Sequence, residues 1–95
     1  MSIRLSRSAA KDLRDHVTYL HEENPRAARQ LLAELDELLT SLDARVFDGP
    51  EKTLLSGRVV RFWPLPPLNV YYERRGDNLH VVRIRHHARR PITEP

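Results

Sequence analysis

Arginine and histidine gather toward the carboxy end of this chain, in a stretch whose other residues are strand formers. Arg58, Arg61, Arg83, Arg85, His86, His87 and Arg89 carry the chemistry that stretch can do. Acid–base cleavage of RNA needs a base for the ribose 2′-OH, cations for the charge on phosphorus, and an acid for the leaving oxygen. Arg61 and Arg83 are suitable cations, and His86 and His87 suitable acid and base. Glu51 and Lys52 stand just ahead of them in the sequence. The same arginines, interleaved with Trp63 and Tyr71, also suit a surface that only binds. Guanidinium on phosphate with ring stacking fits single-stranded RNA, and planar bidentate pairing fits an acidic peptide. Composition does not separate these readings, and a binding surface without catalysis is the simpler one.

Other chemistries find little support. There is no cysteine, so thiolate zinc sites, disulfides and cysteine nucleophiles are excluded. His86 and His87 are adjacent, and neighbours on a strand point to opposite faces, which makes them poor joint ligands. His16 and His21 lie five apart on a helical pattern and do not share a face well. No metal and no cofactor is expected. Ser2, Ser6, Ser8, Ser41 and Ser56 lack a nucleophile-elbow context. Glu22-Glu23 and Asp36-Glu37 read as solvated helix faces. No glycine-rich phosphate loop is present.

These residues must be positioned by a helical first half and a strand-rich second half. Ser8 is the expected N-cap of a first helix with Leu13, Val17 and Leu20 on one face. That helix stops near Glu23, where Asn24-Pro25 supplies an N-cap followed by proline at the first helical position. The second helix carries a wide stripe of Ala28, Leu31, Leu32, Leu35, Leu38, Leu39 and Leu42. Helices joined so tightly lie antiparallel. Period-two alternation then marks strands at 58–63, 68–74 and 79–86, with Gly76-Asp77-Asn78 as a turn. Pro64, Pro66 and Pro67 read as a rigid connection between the first two of them. A short strand near Ile3–Leu5 completes the order. The fold class expected is α+β, an N-terminal helical hairpin packed on a mostly antiparallel four-stranded sheet in the order β-α-α-β-β-β. The sheet's other face would present Arg61, Trp63, Tyr71, Arg83 and Arg85.

The chain has 95 residues, room for one domain over 1–95. Residues 1–56 carry eight Lys/Arg against ten Asp/Glu, whereas 57–95 carry eight Arg against three acids. A basic second half suits an acidic or nucleic-acid partner. No apolar run approaches a membrane span and the amino terminus is charged from Arg4 onward, so a cytoplasmic location is expected.

Several ordered motifs resemble the RelE/ParE toxin superfamily, the ParE branch above all. They are Ala9-Ala10-Lys11-Asp12-Leu13, Asn24-Pro25-Arg26-Ala27-Ala28, the stretch from Gly57 to Arg61, Val70-Tyr71-Tyr72-Glu73, and Val82-Arg83-Ile84-Arg85-His86-His87-Ala88-Arg89-Arg90. Each is loose alone, but in this order they cover nearly the whole chain. The resemblance implies the toxin of a type II toxin–antitoxin system. A ParE-like member would inhibit DNA gyrase, block replication and arrest growth, and a ParD-like antitoxin of the ribbon-helix-helix type would neutralise it. A RelE-like member would instead cut ribosome-bound messenger RNA, with Arg61, Arg83, His86 and His87 as its catalytic candidates. RelE-type nucleases tend to carry lysines near the sheet and an aromatic near the carboxy terminus. This chain has only Lys11 and Lys52, and no aromatic after His87, which favours the ParE branch. Under that reading Arg58, Arg61, Arg83, Arg85, His86 and Arg89 form the target-binding surface. Leu31, Leu35, Leu38, Trp63 and Tyr71 are candidates for antitoxin contact, with a plain core role the competing reading for the leucines.

Overall fold

The computed structural model describes residues 2–86 of the chain, so His87 and Arg89 lie outside the described residues. The elements are β1 (Ser2–Leu5), α1 (Arg7–Glu23), α2 (Pro25–Asp43), β2 (Glu51–Thr53), β3 (Val59–Leu65), β4 (Leu68–Arg75) and β5 (Asn78–His86). They form two layers, the helical hairpin lying on one face of a five-stranded sheet of order β1-β5-β4-β3-β2. The sheet is mixed. β1 runs parallel to β5, and the other neighbours are antiparallel. It has one strand more than expected because β2, three residues of sequence Glu-Lys-Thr, is too short and too polar to show alternation.

Helix α1 begins one step after β1 ends, and the cap is Ser6 rather than Ser8. Ser6 has the extended backbone an N-cap requires, and its Oγ accepts the Ala9 N–H at 3.0 Å. The same hydroxyl donates to the Val82 carbonyl at 2.8 Å, tying the helix start to β5. Asn24 serves both helices. Its N–H closes α1 on the Leu20 carbonyl, and its side chain accepts the Ala27 N–H to open α2, with Pro25 at the first helical position.

The α2 stripe is core. Ala28, Leu31, Leu35, Leu38, Leu39 and Leu42 are buried, while Leu32 on its shoulder is 42% exposed. The leucines pack with Ala9 on Leu68, Val70, Tyr72, Leu79, Val81 and Ile84 of the sheet. Leu31, Leu35 and Leu38 are therefore core residues of the toxin chain itself, the competing reading for them in the sequence.

The far face of the sheet keeps only part of the arginine-aromatic surface expected: Tyr71 stands opposite Arg83 there and Asn69 opposite Arg85, whereas Arg61 and Trp63 are turned away. It holds a smaller apolar cluster of Leu54, Val60, Tyr71 and Val82, flanked by Phe62. Pairing of Arg61 with Tyr72 and Trp63 with Val70 turns Arg61 and Trp63 to the helix side. Trp63 packs there against Phe47, with ring centroids 4.4 Å apart, and Tyr71 is only 5% exposed on the opposite face. Both phases of β3 carry apolar residues, so alternation alone does not say which phase meets the helices. A bulge at Tyr71/Tyr72 adds a second departure. The extra residue on β5 sends Val82 to the far face and Ile84 to the helix side, where strict alternation would place them together.

Pro64 lies within β3 rather than in a connection. Phe62 turns its N–H outward to the Pro50 carbonyl, so Pro64, two residues on, faces the same way. There β2 has ended, and the missing donor is not needed.

Candidate functional site

Helix α1 crosses the end of β5, and the two leave a groove of about 460 Å³ between them. Asp12, Asp15, His16 and Tyr19 line it from the helix, at the i, i+3, i+4, i+7 spacing of one helical face. Leu68, Ile84, Arg85 and His86 line it from the sheet. The imidazoles of His16 and His86 meet at 5.8 Å with a 54° tilt. Asp15 is paired with exposed Lys11 at 2.7 Å, and that hydrogen bond holds its carboxyl below the usual range.

Asp12 is the anchor of this groove. One of its oxygens accepts the Ile84 N–H at 3.0 Å and Arg83 Nε at 2.8 Å, and the other accepts a second guanidinium nitrogen at 3.2 Å. The fork is a bidentate pair between side chains only 17% and 20% exposed. Arg83 thus fastens β5 to α1.

Arg61 belongs to a second assembly, on the other side of β4. Its guanidinium donates to the Gly49 carbonyl at 2.7 Å and stands 3.6 Å from both Asp48 and Glu51. Tyr72, fully buried, donates its hydroxyl to Asp48 and accepts the Gly49 N–H at 2.7 Å. Arg74 reaches Asp48 at 3.3 Å and lies over the Tyr72 ring. Burial works to raise the Asp48 pKa, but the bonds from Tyr72 and Arg74 and the charges of Arg74 and Arg61 outweigh it, leaving the carboxyl below its ordinary value. Burial, and then the bond to Asp48, push the Tyr72 hydroxyl up to about 12. The folded chain therefore holds that proton more tightly than the unfolded chain. Tyr72's contribution to stability is complete below the unfolded value of about 10 and is lost as pH rises toward the folded one. Urea midpoints should fall across that alkaline window, and Tyr72→Phe should flatten the fall while lowering the neutral-pH stability by about 2 kcal/mol.

Arg58 forms a third group with Arg75 around Glu73, at 2.8 and 2.7 Å. Arg58, and then Arg75, keep the Glu73 carboxyl below its usual range. Of the proposed site residues, then, the structure brings Arg85 and His86 together in the groove, with Arg83 at its anchor. It puts Arg58 and Arg61 in separate ion-pair groups, and Trp63 and Tyr71 in packing. Sequence reasoning passed over Asp12, Asp15, His16 and Tyr19 as a set. Their helical spacing beside the Leu13, Val17, Leu20 face is the signal that would have found them. Among the described residues no three His, Asp or Glu side chains converge as metal ligands, and no helix is long and apolar enough to cross a membrane.

The fold is similar to that of a solved structure described as the chromosomal ParDE TA system from P. aeruginosa. The two agree with a TM-score of 0.70 over 90% of this chain and 95% of that one, at 22% sequence identity. That likeness speaks to the fold. No curated protein matches the sequence significantly. The sequence of the family described as the ParE toxin of type II toxin-antitoxin system, parDE, matches residues 3–91. The chain belongs to this ParE toxin family.

Proposed function

We propose that this toxin acts by binding and inhibiting DNA gyrase, so that replication stops, and that a ParD-like antitoxin of the ribbon-helix-helix type neutralises it. Membership of the ParE family supports the reading, and so does the solved ParDE system of similar fold. The observation that carries it is the dispersal of the cationic groups a nuclease would need to gather. Arg61 is committed to Gly49, Asp48 and Glu51 beyond one edge of β4, and Arg83 to Asp12 beyond the other. Arg85 and His86 end β5 and line the groove against α1 together, which favours a binding surface there.

The test pairs a supercoiling and DNA-cleavage assay on purified gyrase with primer extension on ribosome-bound messenger RNA. Inhibited supercoiling or trapped cleavage complexes, with the message intact, is the expected result. Cut message with gyrase unaffected would overturn the proposal in favour of a ribosome-dependent endonuclease. Rescue of growth by co-expressing the neighbouring small open reading frame tests the antitoxin separately.

A further inference from the structure

The cations of the sheet and those of α1 are held differently. On the sheet, Arg58 and Arg75 share Glu73, Arg61 and Arg74 share Asp48, and Arg83 is forked on Asp12. On α1, Arg7, Lys11, Arg14 and Thr18 recur at i, i+4, i+7 and i+11, which sets them in one line along the helix, and all are exposed. The line is turned away from Ala9, Leu13, Val17 and Leu20, which pack into the core, and stands to one side of Asp12, His16 and Tyr19, which line the groove. Among the described residues Arg7 and Arg14 form no ion pair. Lys11 holds Asp15 at 2.7 Å, an exposed pair of a kind that contributes little and yields to a phosphate.

Nothing in the helix asks for these charges. Helix α1 opens on Arg7 and has no acidic residue in its first turn. The free N–H groups of that turn already make the end positive, so Arg7 works against the helix it begins. An anion outside the chain accounts for a cation kept there.

The neighbours of the line say which anion. The exposed apolar side chain of α1 is Tyr19, on the groove side. The line itself has no anchor of the kind a docked peptide buries, and no ring on which single-stranded bases could stack. It offers cations and a hydroxyl on a rigid rod, and a phosphate backbone takes those without apolar contact. Arg7 to Arg14 spans about 10 Å of helix, a length over which duplex DNA carries about six charges. On α2, by contrast, exposed Arg26 and Arg29 are followed by exposed Glu34, Asp36 and Glu37, so that helix presents no single sign.

We propose that the Arg7, Lys11 and Arg14 line of α1 binds the phosphate backbone of duplex DNA without reading its sequence. The surface is separate from the groove of Arg85 and His86, and it stands whether or not gyrase is the target. Its effect is to raise the concentration of toxin near enzymes at work on DNA.

The test is fluorescence anisotropy of a labelled duplex with the full chain, across salt. Binding should weaken about 40-fold from about 50 to about 200 mM salt, as for about three phosphate contacts. Arg7→Gln with Arg14→Gln should flatten that dependence by about two thirds and weaken binding at the lower salt by about 10-fold. Arg26→Gln with Arg29→Gln takes the same charge from α2 and should leave the dependence nearly where it was. The urea midpoint of the α1 variant should hold or rise, because a misplaced cation has gone; a fall would mean that the line serves the fold instead. A salt dependence that the α1 variant leaves unchanged, or that both variants lower alike, would overturn the proposal. So would a single strand or a glutamate octapeptide bound more tightly than the duplex, by making one of those the occupant.

Discussion

Gly49→Ala should lower the stability of this toxin by about 3 kcal/mol, although the residue is in a loop and only a methyl is added. A Cβ at Gly49 would lie 1.8 Å from the Phe62 carbonyl oxygen and 2.8 Å from its carbon, and both are backbone atoms. Neither side can give way easily. Phe62 is held by its N–H on Pro50, while Gly49 donates to Tyr72 and accepts from Arg61. The loop would have to lift off β3, releasing Asp48 from Tyr72 and Arg74 as it went. The urea midpoint measures the loss, and absorbance titration of tyrosine should show the Tyr72 hydroxyl moving back toward its ordinary value. Gly57→Ala is the contrast. Gly57 has φ +88° with nothing near its missing Cβ, so only backbone strain of about 1 kcal/mol is expected.

Asp12→Ala should have an effect of similar size, about 3 kcal/mol, for an electrostatic reason. It strips a partly buried Arg83 of its bidentate partner and the Ile84 N–H of its acceptor at once. Asp12→Asn keeps an acceptor for the amide and should lose roughly half as much. Combining Asp12→Ala with Arg83→Met should recover part of the loss, because the stranded charge goes too. A double-mutant cycle of denaturant midpoints reads this coupling. Toxicity on induction should fall with Asp12→Ala, since Asp12 sets the place where β5 delivers Arg85 and His86. A substitution as destabilising elsewhere, such as Leu42→Ala in the buried core, supplies the comparison for simple unfolding.

The helical hairpin was legible because local signals agreed with one another. Asn24-Pro25 marks a stop and a start within two residues, and the leucine stripe of α2 has a single period. The strands were legible as strands for the same reason. Which way each strand faced was not. Val60 and Phe62 compete with Trp63 for the helix side of β3, and only the pairing of Arg61 with Tyr72 decides it. The bulge at Tyr71/Tyr72 has no residue signature of its own and shifts the phase of β5 in mid-strand. The candidate site suffered from both effects. Of Arg61, Trp63, Tyr71, Arg83 and Arg85, read as one face, the register keeps Tyr71, Arg83 and Arg85 together and turns Arg61 and Trp63 away, and the carboxylates that hold Arg61 and Arg83 come largely from a distant loop and from α1. Asp12 and Arg83 are separated by 71 positions, a contact that no local pattern announces.

The parallel pairing of β1 with β5 has a consequence for how the chain is made. Ser2 bonds Asn78 across 76 positions, and among the described residues β1 has no other strand beside it. During synthesis the first strand leaves the ribosome long before its partner exists, while the helical hairpin, whose contacts are local, can form early. The sheet is complete only when β5 slides between β1 and β4. A nascent chain cut short before β5 therefore holds helices without a finished sheet, and the fold closes only once β5 has been made.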